Sequence, residues 1–302
     1  MITSNSFGEQ VKNIVNGKGS KASKIDAIVK MGVPYNEARF VYTIYDETPA
    51  RPRATRVAAA AYTFGVELEI ANAPAALVRQ SLEANSVVYN YEGYNHTDNT
   101  TYYKFVRDGS LSGASPIECV SPVLKSRGGF QSLEATCKAL NEAGCEVNRS
   151  CGFHVHIGAK DLTDEAYVNV FINYMFLENV IDTFMAPSRR GNESYWCRTL
   201  KDHKNGLLNA TTKGDVQSAL RYDRYHRVNA ESYGRHKTIE FRQHQGTTCF
   251  EKIEHWVKFC AKLVDWSKTH RLTADVASID YIEFLTAAEK RWFKGRAAAL
   301  AA

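Results

Sequence analysis

Three short runs of this chain alternate apolar and ionisable residues with a period of two. In Phe64-Gly65-Val66-Glu67-Leu68-Glu69-Ile70, the residues Phe64, Val66, Leu68 and Ile70 fall on one side and both carboxylates on the other. In Gly152-Phe153-His154-Val155-His156-Ile157-Gly158, Phe153, Val155 and Ile157 oppose His154 and His156. In Thr238-Ile239-Glu240-Phe241-Arg242-Gln243, Ile239 and Phe241 oppose Thr238, Glu240 and Arg242. Successive strand side chains point to opposite faces, so the pattern predicts three half-buried strands. If they share one sheet over a common core, its other face gathers three carboxylates, two imidazoles and a guanidinium. Such a surface suits divalent cations and phosphate.

Helical spacing supplies the rest of the frame. Ser23 caps a predicted helix through Met31, Gly32-Val33-Pro34 breaks it, and Asn36 to Tyr45 reads as a second short helix. We take this pair as a docked hairpin rather than a DNA-reading unit, since groove-reading hairpins are a minority of such pairs. The arginine- and proline-rich Thr48 to Arg56 reads as a tether. A helix follows Asn72, with Ala76, Leu77, Gln80 and Leu82 before Asn85. Val87 to Tyr94 and Tyr102 to Val106 are β-rich, Asp108-Gly109-Ser110 suits a tight reversal, and Ile117 to Pro122 is extended, with Glu118 as a further candidate acid. Further helices are predicted from Phe130 to Ala143, closed by Gly144, from a Thr163 cap to Met185, and from Phe250 to Trp266. Ser188 to Cys197 is a loop with paired arginines, Lys201 to Lys213 reads as a mobile flap, and the tail from Asp280 is helical. These divisions give a helical appendage over 1–48, a linker over 49–59 and a main domain over 60–302.

Composition narrows the class. The 302 residues are 44% hydrophobic and 24% charged, ordinary for a globular protein with a sizeable core. A net charge of +5 fits an anionic ligand, while the spread of basic residues makes nucleic acid an unexpected partner. The seven cysteines form an odd set without a CxxC pair and read as reduced thiols of a cytoplasmic protein. No run approaches the ~18 apolar residues of a membrane span, and the N-terminus has no secretory pattern.

Several acids with few imidazoles favour a hard cation such as Mg²⁺ or Mn²⁺. The HxH pair also occurs in zinc hydrolases, but His203, His226, His236, His244, His255 and His270 are scattered and form no second cluster. No Walker loop, GxGxxG after a strand, or GxSxG elbow is present. A nucleotide must then be held by metals and arginines; Arg242, two residues from Glu240 on the same face, is placed to meet a phosphate oxygen.

Five pieces in order carry a resemblance: Gly65 to Glu69, Asp108 to Ser110 with Ile117 to Leu124, Gly152 to Gly158, Ser188 to Cys197, and Thr238 to Thr247. Over roughly Tyr62 to Val264 the chain resembles the amidoligases of the glutamine synthetase-like carboxylate-amine ligase superfamily, common in phages. The resemblance implies an α+β fold with a curved, largely antiparallel sheet, helices on its outer face and an active site on its concave face. It implies metal ligation by Glu67, Glu69, Glu118, His154 and Glu240, approach of His156 to nucleotide phosphates, and contact of Arg242 with the transferred phosphate. Arg189, Arg190 and Asn192 match a loop that meets phosphate or the carboxylate substrate. The superfamily supplies additional acids from a loop, and beyond Glu118 the sequence shows no counterpart. The implied reaction is ATP- and Mg²⁺-dependent amide formation through an acyl phosphate, on a small-molecule or peptide carboxylate and amine. Alternatives are a phosphotransferase or nucleotidyltransferase on the same site, or a non-catalytic binding protein. The expected location is cytoplasmic, in the host if the chain is phage-encoded, and relatives with this fold often form homo-oligomers.

Overall fold

The structure, a computed structural model, describes residues 7–33, 38, 42, 62–93 and 99–301. The predicted linker over 49–59 and most of the predicted helix from Asn36 to Tyr45 lie outside the described residues. Packing divides the chain into two units, Met1–Ala58 and Ala59–Ala302. In the first, α1 (Phe7–Asn16) and α2 (Lys21–Val29) bury Val11, Val15, Ile25 and Ile28 together. The cap of α2 is Ser20 rather than Ser23: Ser20 has the extended backbone, and its side chain accepts from the Ser23 amide three residues on.

The second unit runs β1 (Thr63–Ile70), α3 (Ala75–Ala84), β2 (Tyr89–Tyr91), β3 (Tyr103–Val106), β4 (Ile117–Val120), β5 (Leu124–Lys125), α4 (Ser126–Glu142) and β6 (Gly152–Gly158). It continues through α5 (Asp164–Thr183), α6 (Lys204–Asn209), α7 (Lys213–Ala219), β7 (Val228–Asn229), α8 (Ser232–His236), β8 (Thr238–Gln245), α9 (Phe250–Trp266) and α10 (Ala287–Ala301). The strands form one open sheet in the order β2-β3-β4-β1-β6-β8-β7, with β5 also paired to β1. Only β2 and β3 run parallel among these pairs.

The period-two runs become three adjacent central strands, β1, β6 and β8. Val66, Leu68, Phe153, Val155, Ile157, Ile239 and Phe241 are all buried in the main core, with residues of α4, α5 and α9. Burying each such side chain contributes about 1.5–3 kcal/mol, so a slip by one residue, which would exchange the faces, is strongly disfavoured. α5 is buried on nearly every side, and Thr163 caps it by accepting from the Ala166 amide at 3.1 Å.

Two features depart from the sequence reading. Lys201 to Lys213 is no flap: a short 3-10 turn and α6 lead to a capping box in which Thr212 and Asp215 start α7, with Leu207 and Val216 buried. The ladder between β6 and β8 also shifts register, with Phe153 opposite His244 but Val155 opposite Phe241. The extra residue in β8 is a bulge, and it brings His244 to the helix side beside Gln243, which the alternation already places there.

Candidate active site

The sheet register sets the ionisable groups side by side. Glu69 pairs with Glu118, Glu67 with His154, His156 with Glu240, and Glu240 with Asn229, so the row crosses β4, β1, β6, β8 and β7. Directly opposed residues share a face. The result is the floor of a cleft of about 570 Å³.

His154 is the hub. Its Nδ1 lies 2.9 Å from Glu67 Oε2 and 3.6 Å from Glu240 Oε1, and its Nε2 lies 3.6 Å from Glu69 Oε1. Both ring nitrogens therefore face carboxylates. The second oxygen of Glu69 accepts from the Gly152 amide. A Cβ at Gly152 would stand 2.9 Å from His154 Nε2, so any larger residue there would push the imidazole from its place. His156 Nε2 lies 3.2 Å from Glu67 Oε1, while its Nδ1 is 3.0 Å from Thr238 Oγ1 and 3.2 Å from Ser232 Oγ. Glu240 accepts from Arg242 Nη1 at 2.5 Å and from Asn229 Nδ2 at 2.6 Å, which occupies both carboxylate oxygens.

Electrostatics sort the acids. Burial alone would raise Glu67, yet the hydrogen bonds and charges of His154 and His156 hold it well below the usual carboxylate range. Glu240 is likewise raised by burial but brought below normal by Arg242 and His156. Glu118 goes the other way: burial, then the charges of Glu67, Glu69 and Asp108, push it well above normal. Burial would lower His156, but its bond to Glu67 raises it. The acids thus form a crowded field in which Glu118 has too little positive charge beside it.

Among the described residues, three groups bring one oxygen or nitrogen ligand each within 4.8 Å of one another: Glu67, His156 and Glu240; Glu67, Glu118 and His154; and Glu69, Asp108 and Glu118. Glu67 and Glu118 each belong to two groups, so the positions are contiguous. The donor set, mainly carboxylate oxygen, fits hard divalent cations.

Arg189 is buried, with Nη2 donating to Cys151 O at 2.6 Å and Nε buried without a partner. Both Arg189 and Arg242 line the cleft.

The segment 60–264 matches the family described as "Putative amidoligase enzyme". The chain belongs to this family. No curated protein matches it. Among solved structures it is similar to one described as "Crystal structure of novel glutamine synthase homolog", at 11% identity and a TM-score of 0.42, over 79% of this chain and 65% of that one. The chain thus spans less than two thirds of the length of that structure.

Of the residues singled out in the sequence, Glu67, Glu69, Glu118, His154, His156, Arg189, Glu240 and Arg242 line the cleft together. Arg190 and Asn192 do not. Arg190 Nε donates to Met185 O at 2.9 Å, and the Asn192 amide is taken up by Asp202 and by the Thr199 amide. Both order the loop rather than face the cleft. Asp108, in the loop after β3, comes within ligand distance of Glu69 and Glu118, and the sequence offered it no such assignment. Its turn, closed by the Ser110 amide on Asp108 Oδ1 at 2.7 Å, was legible, but not its direction. Asn229, which holds Glu240, and Ser232, which with Thr238 holds His156, lacked any separate sequence signal; Thr238 was placed on this face by the alternation.

Proposed function

We propose that the chain is an ATP- and Mg²⁺- or Mn²⁺-dependent carboxylate-amine ligase that works through an acyl phosphate. The observation that carries this reading is the continuous row of metal-ligating groups, ending in Arg242 and flanked by Arg189, inside one cleft. Glu67, His154, His156 and Glu240 would hold one cation region; Glu69, Asp108 and Glu118 would hold the other. When bound, the divalent cations neutralise charge on the transferring phosphoryl group.

The chain's own residues do the positioning. Arg242 is fixed by Glu240 and by its Nε bond to Trp196 O at 3.3 Å, so its charge is in place before substrate arrives. Arg189, with one buried nitrogen open, adds a second anion-holding group. Thr238 and Ser232 hold His156 at Nδ1 and leave Nε2 toward Glu67 and the phosphate region. The substrate carboxylate attacks the γ-phosphorus and ADP leaves; the neutral amine then attacks the acyl carbon, phosphate leaves and the nitrogen gives up one proton, which the departing phosphate can take. No thiol nucleophile is needed, and burial pushes the Cys119, Cys137 and Cys260 thiols up.

Calorimetric titration of non-hydrolysable ATP, with and without Mg²⁺, tests the reading in the wild type and a Glu67→Ala, Glu240→Ala variant. We expect Mg²⁺-dependent binding that the variant loses, followed by carboxylate- and amine-dependent ADP release. Absence of binding in both folded proteins would sink the nucleotide site. ADP formed with a phosphorylated product and no amide would make the protein a phosphotransferase.

A further inference from the structure

Behind the arginine end of the cleft, on the helix side of the sheet, lies a polar network that the proposed chemistry does not use. Glu178 and Asp182 stand one turn apart on α5, and Arg227, 1% exposed, sits against both, with Nη1 3.2 Å from Glu178 Oε2 and 3.1 Å from Asp182 Oδ1. Gln243, on the same side as Ile239 and Phe241, accepts from the Tyr174 hydroxyl at 2.6 Å. Its Nε2 donates to Asp182 Oδ1 at 2.6 Å and to the backbone oxygen of Arg189 at 3.1 Å. Arg227 Nη2 donates to Gly191 O at 2.8 Å, and the Gly191 amide donates to Asp182 Oδ2 at 3.1 Å. Glu178 accepts from the Leu200 amide at 2.7 Å and from the Thr199 hydroxyl. The same network reaches the Arg242 strand, because the Arg242 amide donates to Arg227 O at 2.8 Å.

A buried ionic cluster is a weak source of stability, since desolvation offsets the attraction; fixed geometry is its better-attested product. Here the geometry has a clear object. Arg189 lies on a single 3-10 turn in a loop, and the contacts just described fasten that loop's backbone to the strand of Arg242. We infer that Gln243 and Asp182 are positioning residues that set Arg189 against Arg242, so that the two guanidinium groups meet one anion. This rests on the part of the proposed function that gives the arginines an anion, not on the nucleotide or the amide.

The test is a double-mutant cycle between Gln243→Met and Arg189→Ala, read as the affinity for Mg²⁺ with non-hydrolysable ATP and, separately, for pyrophosphate. Gln243→Met leaves the Arg189 carbonyl without its donor and removes one of the donors to Asp182, and we expect anion affinity to fall about tenfold. In the Arg189→Ala background the same substitution should cost no more than about twofold. Tyr174→Phe removes a bond to Gln243 without touching the Arg189 carbonyl and should change anion affinity less than about threefold, while Mn²⁺ affinity stays within about twofold in all variants. If Gln243→Met fails to fold, Asp182→Asn keeps the shape and should show the same non-additivity. An undiminished effect in the Arg189→Ala background, or a loss of thermal stability alone, overturns the inference. Pyrophosphate binding without nucleotide binding overturns the ligase reading and leaves this one standing. Binding of neither anion to the wild type overturns both.

Discussion

The strand pair β6 and β8 carries imidazoles on both of its faces, and the two faces treat them in opposite ways. On the helix side His244 packs against Phe153 and Trp256, with ring centroids at 5.3 and 5.9 Å, and burial drives its pKa down to about 3. On the cleft side burial also works against the charged form of His156, but the bonded Glu67 carboxylate overcomes it and raises the pKa. The residue type and the sheet are the same. What differs is a carboxylate partner, and the choice of partner is made by which way the strand turns each side chain.

The largest effect should come from the helix side. Phe153→Ala, at a fully buried position, should lower the unfolding free energy by about 3–5 kcal/mol in urea titration. Mn²⁺ affinity measured on the remaining folded protein should hold; if it falls in step, the faces are not independent.

Next comes the cleft side, with the opposite sign for stability. Glu118→Gln removes a ligand from two groups and should weaken Mn²⁺ on the order of 100-fold, since losing even a supporting partner of a ligand costs about 10–100-fold. The metal-free variant should melt at or above the wild-type temperature, because the like charges that crowd Glu118 are relieved. A lower melting temperature would show that the acids serve the fold.

Per unit of the variable changed, the smallest effect is in pH. His244 and His226 are buried, with pKa values lowered to about 3 and about 4, whereas the unfolded chain takes up protons near pH 6.5. The stability they contribute is fully present above that value and is lost as pH falls through this window, by about 1.4 kcal/mol per pH unit for each histidine. His244→Asn should remove its share of the slope in denaturation measured between pH 6.5 and 4. An unchanged slope would place the proton uptake elsewhere.

The alternation in Phe64 to Ile70, Gly152 to Gly158 and Thr238 to Gln243 was enough to give the central strands, their inner faces and most of the cleft floor. That legibility has a physical source: a half-buried strand writes its orientation into every second residue. Asp108 escaped because a loop acid carries no period, and its approach to Glu69 and Glu118 depends on where β3 and β4 lie. The bulge escaped because two strands decide it jointly. Arg190 and Asn192 looked equivalent to Arg189 as neighbours in one polar loop, yet only Arg189 meets the carbonyl of Cys151 just before β6. The helices over 204–219 were passed over although Thr212 and Asp215 stand at capping-box spacing, since few apolar residues mark them.

The distances along the chain across which the cleft is assembled also govern when it comes into being. Glu67 meets His154 across 87 residues, and His156 meets Thr238 across 82. Each of the three ligand groups draws on at least two strands or turns, and the group containing Glu240 cannot form until β8 has been synthesised and paired. A cation therefore has no Glu67, His156 and Glu240 site in a chain that ends before β8, and contacts of such long sequence separation are slow to form. The Glu67, His156 and Glu240 group is a product of completed folding rather than a template for it, and truncated or stalled chains ending before β8 should not bind a cation there.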